Sequence, residues 1–270
     1  MVVRVPFSAW GCNLQPSGCG FPAPGVEEFQ FAPIFTVGPI DVDKPMILLA
    51  ACSVLLMAFF LFAFRKPKMV PRGVQNVAEL GYTFIRDGIA RDVIGKAGEK
   101  YVPLLFTAFF MIWLLNFLEV VPGIQFPVTS VLAYPVAFAV IVYVTWVPLG
   151  MMKQGPLGFF KNMMFPPGLP KWLYGILAPI EFISNLLVRP FTHCIRLFAN
   201  MFAGHLLLAT FTVATWYLFS SSVIGIVGSV ASFAMTIAVT AFELLIQGLQ
   251  AYIFTLLTAV YIAGALEAEH

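Results

Sequence analysis

Residues 223–265 read VIGIVGSVASFAMTIAVTAFELLIQGLQAYIFTLLTAVYIAGA, 43 positions with one charge, Glu243, and no proline. As a helix at ~1.5 Å per residue this stretch is about 65 Å long. The hydrocarbon core of a bilayer is only about 30 Å thick. A helix of this composition therefore lies steeply tilted, bends, or emerges from a membrane. Upstream, Trp172 to Phe219 is apolar in the same way, with no proline after Pro190. Only Ser220, Ser221 and Ser222, with Gly225 and Gly228 soon after, punctuate the pair. Two long apolar segments joined by a small-residue turn predict a helical hairpin over residues 172–266.

The rest of the chain agrees. Of 270 residues, 60% are apolar and 10% charged, against about 25% charged in an ordinary soluble domain. The first uninterrupted apolar run is 46–64, closed by Arg65, Lys66, Lys68 and Arg72. In 65–100, Val74, Val77, Ala78, Gly81, Phe84 and Ile85 recur at helical spacing, with Glu79, Arg86, Asp87, Arg91 and Asp92 on other faces. That pattern predicts an amphipathic helix on the membrane surface. Residues 101–152 hold two further spans, Tyr101–Leu118 and Val131–Met152, and 153–171 is a Gly/Pro-rich loop with Lys153, Lys161 and Lys171. The fold class is thus an all-α integral membrane protein of about five transmembrane helices plus one amphipathic surface helix, the last two spans forming the long tilted hairpin.

Lys and Arg set the orientation. They cluster in 65–100 and 153–171, whereas Arg4 and Lys44 alone stand on the opposite side. The predicted topology places 1–45 outside, the loops at 65–100 and 153–171 in the cytoplasm, and 267–270 as a cytoplasmic tail. Residues 1–25 lack an apolar run before a small-residue cleavage site, so the first span is expected to serve as the insertion signal. The net charge of +2, with basic residues beside spans, gives no support for nucleic-acid binding. Cys52 and Cys194 read as small hydrophobes in apolar segments. Cys12 and Cys19 can pair if their segment faces an oxidising compartment.

A charge at mid-bilayer costs at least ~2.5–3.5 kcal/mol and usually marks an ion path. The hairpin contains Glu181, Arg189, His193, Arg196, Asn200, His205, Glu243, Gln247 and Gln250. Glu181 and Arg189 lie toward the basic end, where snorkelling accounts for them. His193 reads equally as a packing residue or as part of a path. Arg196 lies well inside the segment and cannot shed its proton, so it must face a counter-charge or water. Arg189, His193, Arg196 and Asn200, spaced four, three and four apart, form one polar stripe, and Glu243, Gln247 and Gln250 form another. Folding at about residue 223 puts Arg196 level with Gln250 and His205 level with Glu243. Arg196 and His205 nevertheless point to opposite sides of an α-helix, at ~100° per residue. A bend near Gly204 or an intervening water reconciles the two pairs. His205, with a near-neutral ordinary pKa, and Glu243 suit proton relay.

The stretch RPFTHCIRLFANMFAGH, Arg189–His205, resembles the signature helix of the subunit a family of bacterial F-type ATP synthases, and Phe242–Phe254 is similar to that family's final helix. Glu267, Glu269 and His270, and Asn116 with Glu119 before Pro122, fit the same family. This resemblance implies a non-catalytic stator subunit in the bacterial plasma membrane, with no cofactor and no metal. It implies two proton half-channels, separated by Arg196, against a rotating ring of c subunits. Asn200 and Gln250 are implied neighbours of the arginine, and His205 with Glu243 an acid/His pair; Glu119, Gln247 and His193 complete the expected path. The implied partners are the c-subunit ring, the peripheral-stalk b subunits, the remainder of the synthase and the lipid bilayer. A self-contained proton-coupled transporter is the alternative, but such folds carry internal repeats and broken helices, which this sequence lacks. A haem enzyme would need histidines on facing helices, and a hydrolase a recognisable nucleophile motif.

Overall fold

The computed structural model describes residues 21, 24–29, 33–37, 40–165, 174–219 and 223–266. Cys12, Cys19, Lys171, Trp172, the turn serines and the terminal Glu267, Glu269 and His270 lie outside the described residues.

Strands β1 (Phe35–Val37) and β2 (Ile40–Val42) pair antiparallel, Thr36 opposite Asp41. Helix α1 follows at Lys44–Ala63 and α2 at Val74–Ile85. A π-helical segment, Arg86–Ile94, and a 3-10 segment, Gly95–Tyr101, lead into α3 at Val102–Phe117. Helices α4 (Ala133–Gln154) and α5 (Pro156–Met164) come next. Then α6 (Tyr174–Ile183), a π-helical turn at Ser184–Val188, α7 (Arg189–Leu218) and α8 (Val223–Leu266) complete the chain. Helices α1, α3 and α4 overlap the apolar runs 46–64, 101–118 and 131–152.

Five helical stretches are long and apolar enough to cross a membrane: Lys44–Ala63, Val74–Phe117, Ala133–Gln154, Leu177–Leu218 and Val223–Leu266. In the second, Arg86, Asp87, Arg91, Asp92, Lys96, Glu99 and Lys100 all precede Tyr101, so only the part from Tyr101 onward suits lipid. Val54, Leu55, Met57, Leu61 and Phe62 of α1 are exposed. Uncovered apolar surface on this scale belongs against lipid or another protein, not water. The chain is an all-α multi-pass membrane protein.

Gly155 ends α4 and opens α5 at a φ of +74°, a left-handed conformation that glycine adopts without a Cβ penalty. Pro156 then takes the first helical position, where its missing N–H costs nothing.

The chain falls into two compact units. One comprises the chain up to Cys52, Trp113–Val131 and Phe198–Leu249; the other comprises Ser53–Ile112, Leu132–Leu197 and the chain from Gln250. In the second unit, Ile85, Ile89 and Ala90 pack with Val102, Leu105, Ala259 and Ile262. Ile112, Val142, Leu197, Ala251 and Phe254 make another core cluster. In the first unit, the hairpin tip is tied by Ser229 Oγ, which donates to Thr215 O at 2.7 Å.

The apolar positions of α2 differ in their burial. Ala78 and Ile85 are buried, and Gly81 lies against the Phe110 ring, but Val74, Val77 and Phe84 are exposed. The helical period puts 78, 81 and 85 on the face that packs inward; Phe84, although exposed, stands 5.8 Å from the Phe109 ring and 6.2 Å from the Tyr252 ring.

Candidate functional site

In the first unit a buried polar cluster forms around Glu119. Helix α3 ends at Phe117, and the chain turns so that Glu119 N donates to Asn116 O at 3.0 Å. This tight turn points Glu119 inward, leaving it 1% exposed. Its Oε2 accepts a hydrogen bond from Gln247 Nε2 at 3.0 Å. Its Oε1 lies 3.5 Å from His205 Nδ1. Beside it, Thr129 Oγ1 donates to Asn116 Oδ1. Asn116, Thr129, His205, Glu243 and Gln247 are all buried.

Glu243 sits against Gly204: a Cβ built on that glycine would fall within its carboxylate. The absent side chain makes the room for that carboxylate. Glu119 is also near enough for its charge to act on Glu243. Several polar atoms here have no hydrogen-bond partner among the described residues: Asn116 Nδ2, Glu119 Oε1, Glu243 Oε2 and Gln247 Oε1. Buried polar atoms in this state are uncommon, and each calls for a reason. Two carboxylates and an imidazole, side chains that can bind and release a proton, thus stand with two hydrogen-bonding amides in an apolar bundle. Asn200, in the same unit, is half-buried and makes no hydrogen bond among the described residues.

In the second unit Arg196 is exposed. It makes no hydrogen bond or ion pair among the described residues. Gln250 is buried, so the expected Arg196–Gln250 pairing is not made: one side chain faces out and the other in. His193 is buried with its ring over Phe254, 3.9 Å between centroids, and 5.7 Å from Tyr261. Its Nε2 has no hydrogen-bond partner among the described residues. Arg189 is exposed and lies over the Tyr261 ring at 5.8 Å. Glu181 accepts a hydrogen bond from Asn185 Nδ2 at 3.0 Å. The described residues contain no cluster of three or more His, Cys, Asp or Glu able to hold a metal ion. Cys52 and Cys194 are free and buried.

The sequence predicts His205 beside Glu243; in the structure Glu243 lies against Gly204, the residue before His205, and Glu119 lies 3.5 Å from His205 Nδ1. Thr129 was missed, although Thr129 and Ser130 stand as a polar pair between Pro127 and the third span.

The family model described as ATP synthase A chain matches residues 46–263. A protein of Streptomyces lividans called ATP synthase subunit a is 51% identical over 259 residues, covering 94% of this chain and 90% of that one. One from Frankia alni with the same name is 42% identical, covering 93% and 88%. Another, from Arthrobacter sp., is 44% identical, covering 92% and 94%.

Proposed function

We propose, from the premise that this chain belongs to the ATP synthase subunit a family, that it is the fixed half of a proton-driven rotary motor. In this reading two aqueous half-channels are completed by a ring of c subunits, and Arg196 separates them. The observation that carries the proposal is the exposed guanidinium of Arg196 on a spanning helix, without a partner among the described residues. Guanidinium keeps its charge at any accessible pH, and such a charge in hydrocarbon is costly. A carboxylate passing on a neighbouring ring supplies what that cation requires.

A proton enters from outside through the cluster in which Glu119, His205 and Glu243 can accept it and pass it on and Gln247 holds Glu119 by a hydrogen bond. It neutralises a ring carboxylate, and that subunit turns into lipid. After nearly a full rotation the proton leaves on the cytoplasmic side, with Asn200, Gln250 and His193 as polar groups near the arginine. Arg196 blocks a direct leak by repelling a hydronium ion and holds the arriving carboxylate ionised. The membrane potential contributes about 2.3 kcal/mol per charge per 100 mV. ATP forms elsewhere in the assembly, to which peripheral-stalk b subunits anchor this chain, and the chain needs no cofactor for its part. In this reading the amino terminus lies outside and the carboxyl terminus in the cytoplasm of a bacterial plasma membrane, an orientation supported by the excess of Lys and Arg in 65–100 and 153–171.

Replacing Arg196 with Ala tests this. The expected result is an assembled complex that no longer pumps protons on ATP hydrolysis; normal pumping by the variant would overturn the assignment.

A further inference from the structure

The segment ahead of α1 precedes residues 46–263, yet it reaches the buried cluster. A 3-10 turn, Val26–Phe29, carries Phe29. The Phe29 ring stands 5.5 Å from the His205 ring, edge-on at 73°. Phe126 approaches the same imidazole at 5.8 Å and 80°. Phe29 also packs on Phe202 at 4.6 Å and on Phe126 at 6.1 Å. Lys44 steadies this arrangement: its Nζ donates to Ile124 O at 3.0 Å and lies 5.6 Å from the Phe126 ring centroid. His205 therefore meets two phenyl rings as well as the carboxylate of Glu119.

We propose that Phe29 is a positioning residue for the proton path, closing an aromatic collar with Phe126 and Phe202 over His205. Two physical effects follow from the geometry. Phenyl rings offer no hydrogen bond, so water reaches the imidazole only where the collar ends. Edge-on aromatic packing, favourable beyond burial alone, holds the ring in one orientation with Nδ1 toward Glu119. The amino-terminal segment thereby becomes part of the channel mouth. This inference rests on the reading of His205 as a group on the path.

The test uses the complete synthase in native membrane vesicles. Diethyl pyrocarbonate serves as the probe, with carbethoxylation of His205 and His193 followed by peptide mass spectrometry. In Phe29→Ala, His205 should react several-fold faster than in the unsubstituted complex, with His193 unchanged, and Phe29→Tyr should restore protection. Equal His205 rates with and without the Phe29 ring would overturn the collar. Phe29 is only half-buried, so assembly should survive its loss. Should assembly fail, Phe202→Ala opens the same collar from α7, and equal rates there overturn it as well. His205→Asn separates the two claims. If that variant pumps normally, the path reading fails while the reactivity difference at Phe29 stands. If it stops pumping and Phe29→Ala gives no extra reactivity, the collar alone fails.

Discussion

Gln247 Nε2 donates to Glu119 Oε2 at 3.0 Å across 128 positions of sequence. One partner follows the end of α3 and the other lies midway along α8, and both are fully enclosed. The bond leaves Oε1 of the same carboxylate facing His205 at 3.5 Å. Gln247 thus fixes which oxygen of Glu119 faces His205.

Removing that tether tests its role. Gln247→Leu keeps the volume but deletes the donor, freeing the Glu119 carboxylate to rotate away from His205. ATP-driven acidification of inverted vesicles, read by a quenched pH dye, should fall several-fold while the complex still assembles. The stability cost should be modest, since hydrogen bonds between membrane helices average about 0.6 kcal/mol. An unchanged rate would mean that the orientation of Glu119 does not matter to flux.

Gly204 offers a second test, on space. In a helix interior Gly→Ala normally gains about 1 kcal/mol. Here the new methyl would fall within the Glu243 carboxylate, the mobile end of a flexible side chain. Gly204→Ala should therefore fold normally and pump poorly. Adding Glu243→Asp, one methylene shorter, should recover part of the lost rate. A double variant no better than Gly204→Ala would show that displacement of Glu243 is not the cause.

The charged segment ahead of α3 gives a pH prediction outside the membrane. Arg86 lies 2.9 Å from Asp87, and Arg91 reaches Asp87 at 3.0 Å and Glu99 at 2.5 Å. The hydrogen bond from Arg86 holds the Asp87 carboxyl below its ordinary 3.8, and that from Arg91 holds Glu99 below 4.5. A lowered folded-state value means the contribution is complete above those ordinary values and is lost as pH falls through the folded ones. Hydrogen exchange over residues 86–101, corrected for intrinsic rate, should be flat from neutral pH down to the ordinary carboxylate values. It should rise only below them. The pairs are exposed and individually weak, so high salt should reproduce part of the effect. Acceleration near neutral pH would contradict the ion-pair account.

The α7–α8 hairpin was legible because membrane insertion imposes a length and a composition on any spanning helix. The unbroken apolar run from Val223 could be nothing shorter than a long helix. Helical spacing also collected Arg189, His193, Arg196 and Asn200 on one stripe. Antiparallel folding alone predicts equal depth for His205 and Glu243; in the structure Glu243 lies against Gly204, the residue before His205.

Direction and partnership were decided by tertiary structure. Spacing placed Arg196 opposite Gln250, but one is exposed and the other buried, because the side that neighbouring helices cover is set by packing and not by depth. Glu119 joins His205 and Gln247, and Phe29 reaches His205, although each contact links segments far apart in sequence. A periodic pattern reports which residues share a face of one helix. It carries no information about what the rest of the chain brings to that face, and those long-range contacts exist only once the bundle has closed.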